Sequence, residues 1–353
     1  MTRSAAAPRR ILIVRTSAIG DVVFASPLAA ALRRSHPDAY IAWVVEPGID
    51  ALIEHDPAID ECIVWPKAEW LDLWRRRRWR ELWCNIRAFR ARLRRLRFDV
   101  ALDLHGLAKS ALIARMSGAA RRVGLGGREG SRWLVTEVVP RGGDAARIGS
   151  EYLYLAQYLG LICDDFLPRL TLDAQAEKRA LALLAARGLE PGRYAVFAAF
   201  TTRPQKHWFD DSWTALSAVV QARTGLRPVL LGGRADRDAA GRLAADTPGL
   251  VDLAGETGLG EAAAVVRHAA LLIGVDTGLT HMGIAFSVPT VALFGSTRPY
   301  TITGRANARV VWLGMDCSPC GRRPTCGGAW TCMRDITPHR VIEEASAVLD
   351  VAR

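Results

Sequence analysis

Apolar positions along this chain follow two rhythms. Short unbroken runs, such as "ILIV" before Arg15, "IAWVV" before Glu46 and "LLIGV" before Asp276, alternate with longer stretches in which apolar residues recur every three or four positions. The first kind reads as strands buried on both faces, the second as amphipathic helices. In the first half, "RILIVRT" predicts a strand, residues 21–35 a helix, 39–46 a second strand and 60–66 a shorter third. Residues 79–98 place Trp79, Leu82, Ile86, Phe89, Leu93 and Leu96 at helical period, with the arginines mostly on the other face. "FDVALDLHG" (98–106) is another buried strand, followed by the helix "LAKSALIARMSG".

The alternation breaks over residues 164–192, where "DDFLPRLTLD" reads as a connection and "AQAEKRALALLAARG" as a helix ending at Gly188. It then restarts. "RYAVFAAF", "RPVLLGG", "LLIGVDTG" and "PTVALFG" are strands, and "DDSWTALSAVVQARTG" and "LTHMGIAFS" are helices, the former capped by Asp210 or Asp211. The expected architecture is α/β, with two doubly wound parallel-sheet domains in succession and a cleft between them. The boundaries drawn are 1–170 and 171–353, with the last helix a candidate to pack back on the first domain.

Composition narrows the partners. A chain of 353 residues is too long for one core, and 50% hydrophobic content is that of a globular protein. The net charge of +11 is concentrated: residues 69–98 hold eleven arginines against three acidic residues. Such a face points to nucleic acid, anionic lipid or an anionic small substrate. Arg15 interrupts the first apolar run after four residues, which argues against a signal peptide. No apolar stretch approaches the roughly 18 residues of a membrane span. These readings place the chain in the cytoplasm, where disulfides are disfavoured.

Three strand-to-helix loops carry candidate chemistry, because exposed N–H groups at a helix start receive anions. "TSAIGD" lacks both GxGxxG and GxxxxGK[ST], so it reads either as an anion loop or as a plain turn using the backbone freedom of Gly20. "TTRPQKHW" offers Thr201, Thr202, Lys206 and His207, which suit a diphosphate; the competing reading is a solvated loop plugged by Trp208. "DTGLTH" offers Asp276, Thr277, Gly278 and Thr280 as a phosphate nest, against simple helix capping by Asp276 or Thr277. Asp276 itself would repel a diphosphate and would rather accept from a sugar hydroxyl or orient the loop.

Cys317, Cys320, Cys326 and Cys332 have the spacing C-x2-C-x5-C-x5-C. Four thiols in 16 residues suit a small structural zinc site. The competing reading is a loop of reduced, partly buried cysteines, and Cys62, Cys84 and Cys163 read as core residues.

Five motifs together, "ILIVRTSAIGDVVFASP", "AWVVEPG", "ALDLHGLAKSAL", "YAVFAAFTTRPQKHW" and "VDTGLTHMGIA", resemble the lipopolysaccharide heptosyltransferases, inverting glycosyltransferases of family 9. The likeness spans about residues 10–300. It is nearest the heptosyltransferase I branch, while the cysteine-bearing tail is similar to that of the heptosyltransferase II branch. The resemblance implies a GT-B fold, two Rossmann-like domains facing across a cleft, and transfer of a heptose from ADP-heptose to the Kdo–lipid A inner core. It implies Asp21 as catalytic base. It implies Thr201, Thr202, Lys206, Asp276, Thr277, Gly278, Thr280 and His281 as donor contacts, with Asp236 on the ribose.

The acceptor is anionic, which suits Arg75, Arg76, Arg77 and Arg78, flanked by Trp70, Trp74, Trp79 and Trp83, together with Lys109, Arg128 and Arg132. The competing reading for any one arginine is a solvated face; Arg and Trp together also suit peripheral attachment to the cytoplasmic face of the inner membrane. No cofactor is required if Lys206 and a helix N-terminus stabilise the leaving diphosphate, and no nucleic acid is expected. The alternatives are another nucleotide-sugar, addition of the second heptose, and a non-catalytic nucleic-acid-binding protein using residues 75–97.

Overall fold

Each half of the chain closes its own six-stranded, all-parallel sheet in a computed structural model that describes residues 7–352. One unit comprises residues 7–144 with 149–171; the other comprises 145–148 with 172–352.

The first unit contains β1 (Arg10–Val14), α1 (Ile19–Ser35), β2 (Tyr40–Val45), β3 (Glu61–Val64), α2 (Lys67–Arg75), α3 (Trp79–Arg95), β4 (Val100–Asp103), α4 (Ala108–Met116), β5 (Arg121–Leu125), β6 (Glu137–Val139) and α5 (Ser150–Tyr158). The strand order is β3-β2-β1-β4-β5-β6. Leu12 and Val14 of β1, Ala42 and Val44 of β2 and Ala101 of β4 are fully buried and pack with Phe89 and Leu93 of α3.

The second unit contains α6 (Ala174–Ala186), β7 (Tyr194–Ala198), α7 (Asp210–Thr224), β8 (Arg227–Leu230), α8 (Arg237–Ala245), β9 (Val251–Asp252), α9 (Leu259–Arg267), β10 (Leu271–Val275), α10 (Gly278–Ala285), β11 (Thr290–Phe294), β12 (Ala308–Trp312), α11 (Thr331–Arg334) and α12 (Pro338–Ala352). The order β12-β11-β10-β7-β8-β9 repeats the scheme of the first sheet. Residues 146–148 join this unit through a parallel bridge between Arg147 and Ile302. The last helix sets Val341, Ile342, Ala345 and Val348 into the core of the second unit, against Trp208, Trp213 and Leu216.

In both sheets the strand order reverses beside the first strand of the unit, between β1 and β4 and between β7 and β10. Loops leaving the carboxyl ends of those neighbours diverge to opposite faces and leave a crevice, the general ligand position of open α/β sheets. This topology sets the loop after β1 beside the loop after β4, and the loop after β7 beside the loop after β10.

Several expectations change. Cys84, read as a core residue, is exposed. The N-cap of α7 is Phe209, without a side-chain capping bond, and Asp210 and Asp211 lie inside its first turn. Trp79, expected on the buried stripe of α3, is 47% exposed; the stripe runs through Leu82, Phe89 and Leu93, while Trp79 stacks edge-to-face on Trp74 at 4.5 Å. Gly20, read as part of a turn, lies within the first turn of α1 and is held in helix.

Candidate active site

In the first unit, the chain leaves β1 through Arg15, which is only 4% exposed. Its guanidinium donates to the Leu104 carbonyl at 3.2 Å, lies 5.9 Å from the Tyr152 ring centroid and pairs with Asp21. Ala18 is the N-cap of α1, and Asp21, at the third helical position, accepts the Ala18 N–H at 3.3 Å. Both contacts fall on Oδ2 of Asp21, whose side chain is 41% exposed. A carboxylate at a helix start is favoured by the dipole, and here one oxygen is pinned.

Glu46, just beyond β2, gathers the neighbouring polar groups. Its carboxylate accepts from Ser17 at 3.0 Å and from Lys67 at 3.1 and 3.2 Å, and Lys109 stands 4.0 Å away. After β4, the buried Asp103 accepts the N–H groups of His105 and Gly106 at 3.0 and 3.2 Å. Gly106 is obligatory here: its φ is +67°, and a Cβ would stand 2.3 Å from the Leu125 carbonyl oxygen. Burial pushes the His105 pKa down to about 3, with Arg15, Lys109, Arg141 and Arg128 adding repulsion. Burial, then the nearby Lys67, also lowers the Lys109 pKa. Arg141 pairs with Glu151 and donates to the His105 carbonyl at 2.8 Å. Arg128 and Arg132 are exposed, the latter with its guanidinium 4.8 Å from the Trp133 ring centroid. The result is a cationic field around a neutral histidine.

The structure sets Arg75, Arg76, Arg77 and Arg78 apart from that cluster. Lys67 begins α2 and Arg75 ends it, about 12 Å further along the axis. All four arginines are exposed; Arg76 pairs with Asp72 at 2.9 Å and Arg78 with Glu81.

In the second unit, β7 leads through Thr201 and Thr202 into a 3-10 turn, Pro204–Lys206, anchored by Trp208, whose indole N–H donates to the Ile336 carbonyl at 2.9 Å. His207 Nε2 lies 2.8 Å from the Thr201 carbonyl and holds the loop closed. The sheet order then brings Lys206 to Asp276 at the end of β10, with Nζ 2.5 Å from Oδ2. The same Oδ2 accepts the Thr297 hydroxyl at 2.7 Å, while Oδ1 lies 3.3 Å from His281 Nε2. Burial alone would raise the Asp276 pKa, but His281 and Lys206 outweigh it and hold the carboxyl well below its usual range.

Thr277 is the N-cap of α10 without a side-chain capping bond, so neither Asp276 nor Thr277 caps in the expected way and the N–H groups from Gly278 onward begin the helix. Thr280 is fully buried and donates to the Val275 carbonyl at 2.7 Å, which makes it a strut of the loop. It fits because Gly274 lacks a side chain: a Cβ there would lie 2.2 Å from the Thr280 hydroxyl. Asp236 accepts the Gly233 N–H at 2.8 Å at the start of α8, after β8.

The structure does not support the zinc reading of the cysteine cluster. Cys317, Cys320, Cys326 and Cys332 line one cavity with Gln205 and Trp330, and all are free thiols. Among the described residues, however, no group of three or more His, Cys, Asp or Glu side chains is placed to hold a metal ion. Burial, then the neighbouring Cys320, raises the Cys332 thiol pKa.

Sequence reasoning missed Glu46, Lys67, Arg141, Thr297 and Tyr300 as site residues. The signals for two of them were in view: Glu46 and Lys67 each follow a strand at its carboxyl end. Thr297, Tyr300 and Arg141 are joined to the site only by tertiary contacts.

Among known proteins, residues 86–330 match the sequence profile described as glycosyltransferase family 9 (heptosyltransferase). Lipopolysaccharide heptosyltransferase 1 of Pseudomonas aeruginosa is 31% identical over 359 aligned positions, covering 96% of this chain and 98% of the relative. The solved Escherichia coli ADP-heptose lipopolysaccharide heptosyltransferase II superposes with a TM-score of 0.75 at 25% identity, covering 97% and 99% of the two chains. Escherichia coli heptosyltransferase WaaC, solved with ADP-2-deoxy-2-fluoro heptose, gives 0.71 at 26% identity, covering 95% and 99%.

Proposed function

The chain belongs to glycosyltransferase family 9, and on that premise we propose how its side chains perform the reaction. It is a heptosyltransferase of lipopolysaccharide core assembly, with ADP-heptose as donor. The acceptor is Kdo–lipid A. Asp21 is the base. Its Oδ2 is held by the buried Arg15 and by the Ala18 N–H, and this is the observation that carries the reading. A carboxylate pinned by one oxygen presents the other, Oδ1, to an acceptor hydroxyl.

The hydroxyl oxygen bonds to the anomeric carbon as the bond from that carbon to the diphosphate oxygen breaks. The proton passes to Asp21, the electron pair leaves with ADP, and a single displacement inverts the centre. Lys206, Thr201, Thr202 and the first N–H groups of α10, at Gly278, meet the charge that develops on the diphosphate. Thr277 and Thr280 shape that loop, His281 reaches the donor through Asp276, and Asp236 is assigned to the ribose.

The charge of the acceptor suits Lys67, Lys109, Arg128 and Arg141, the cations around His105 and Glu46, and Arg132 beside Trp133, with Arg75, Arg76, Arg77 and Arg78 meeting lipid A phosphates. Among the described residues no helix is long and apolar enough to cross a membrane. Leu71, Trp74, Trp79 and Trp83 are exposed beside those arginines, which supports peripheral docking on an anionic membrane surface.

Release of ADP from ADP-heptose in the presence of Kdo–lipid A tests the reading. Asp21→Asn should lower kcat by roughly 10²- to 10⁴-fold. Unchanged turnover in the variant removes Asp21 as base. A wild type active only on an acceptor already carrying one heptose moves the assignment to the second transfer.

A further inference from the structure

A buried polar chain runs inward from Lys206. Asp276 Oδ2 takes the Lys206 ammonium at 2.5 Å and the Thr297 hydroxyl at 2.7 Å. Asp276 Oδ1 lies 3.3 Å from His281 Nε2, and His281 Nδ1 lies 2.8 Å from the Tyr300 hydroxyl. The side chains of Lys206 and Asp276 are 16% and 15% exposed, while His281 and Tyr300 are buried. The Tyr300 ring stacks edge-to-face on His281 at 5.6 Å and on Phe294 of β11 at 5.3 Å.

The links come from separate segments. Lys206 follows β7, Asp276 follows β10, His281 lies in α10, and Thr297 and Tyr300 follow β11. A lysine on a surface turn has four rotatable side-chain bonds and no intrinsic aim. Asp276 supplies the aim, provided its carboxylate does not rotate. His281 occupies one oxygen and Thr297 shares the other with Lys206, which removes that rotation. His281 could in turn swing about its own side-chain bonds; the Tyr300 hydroxyl on Nδ1 and the ring stacked beside it hold the imidazole so that Nε2 meets Asp276. The same contacts disperse the carboxylate charge, which would otherwise repel an incoming diphosphate.

We infer that Tyr300 is a positioning residue for the donor: through His281 and Asp276 it sets the aim of the Lys206 ammonium at the diphosphate. This rests on the assignment of Lys206 to the diphosphate in the proposed function.

The test is calorimetric titration with ADP of the wild type, Tyr300→Phe, Lys206→Met and the double variant, together with donor and acceptor KM. Both replacements nearly conserve shape. Tyr300→Phe should weaken ADP binding by about 2- to 10-fold, the span of one lost hydrogen bond, and raise the donor KM by a similar factor. The acceptor KM should stay unchanged. Lys206→Met should weaken ADP further, and in that background Tyr300→Phe should cost nothing more, because its route to the ligand is gone. Thr297→Val, which removes the other donor to Oδ2, should behave like Tyr300→Phe. Wild-type ADP affinity in Tyr300→Phe, or losses that add in the double variant, overturn the inference while leaving the Lys206 assignment standing. Wild-type affinity in Lys206→Met overturns that assignment and the inference with it.

Discussion

Replacing Trp74, Trp79 and Trp83 together by alanine should detach the protein from anionic membranes without impairing its chemistry. These side chains are 59%, 47% and 61% exposed, and α2 and α3 carry them among arginines. With roughly 250 Å² per tryptophan, about 400 Å² of largely apolar surface stands in water. If half of it leaves water on docking, the gain is about 5 kcal/mol at ~25 cal/mol per Å². Each arginine near an anionic surface adds about 1 kcal/mol. Losing most of the aromatic contribution should lower the partition coefficient by at least about 100-fold. Co-sedimentation with vesicles containing phosphatidylglycerol measures this, with phosphatidylcholine vesicles as reference. The arginine share should fade with salt, since the Debye length shrinks from about 10 Å at 0.1 M to about 3 Å at 1 M. Because the three side chains are largely exposed, stability should change by no more than about 1 kcal/mol, the worth of the Trp74–Trp79 stack. Turnover of a water-soluble acceptor should be unaffected. A variant that sediments like the wild type refutes the docking surface.

Arg15→Met should lower kcat by about 10- to 100-fold, less than Asp21→Asn, because it frees the proposed base without deleting it; ADP affinity should hold. Gly106→Ala should lose at least about 1–2 kcal/mol in a denaturant titration, since φ is +67° and the new Cβ meets a backbone carbonyl. His105 has a folded pKa of about 3 against 6.5 when unfolded, so below pH 6.5 the unfolded chain takes up a proton that the folded chain refuses. Stability is therefore lost as pH falls from 6.5 towards 3, and His105→Gln should flatten that limb of the melting temperature against pH.

Most of the strands that periodicity located are uniformly buried. β1, β2, β7, β10 and β11 are almost wholly buried, and their unbroken apolar runs say so. Several elements it passed over are partial. β5 opens on two arginines, β6 has three residues, α2 buries only Leu73, and β12 is an edge strand with only Ala308 and Val311 buried. Trp79 went astray for a related reason: an indole at helical spacing fits a core stripe and an exposed aromatic surface equally well, and only the packing of Leu82, Phe89 and Leu93 decides between them.

The candidate site divides along the same line. Strand, loop and helix follow one another locally, so the chain announces that Asp21, Lys206 and Asp276 stand at carboxyl ends of strands, and motif likeness names their family. Pairing is not local. Lys206 meets Asp276 across 70 positions because β7 lies beside β10, and Arg15 reaches Leu104 because β1 lies beside β4. Sequence can also bring four cysteines to one cavity, since their separation is short, yet the aim of their sulfur atoms depends on the surrounding packing. Periodicity and turn chemistry act over a few residues and are written in order along the chain. Strand order and the direction of each side chain depend on the free energy of the whole packed sheet. That is why the loops could be read from the sequence, while the Tyr300–His281–Asp276–Lys206 chain required the fold.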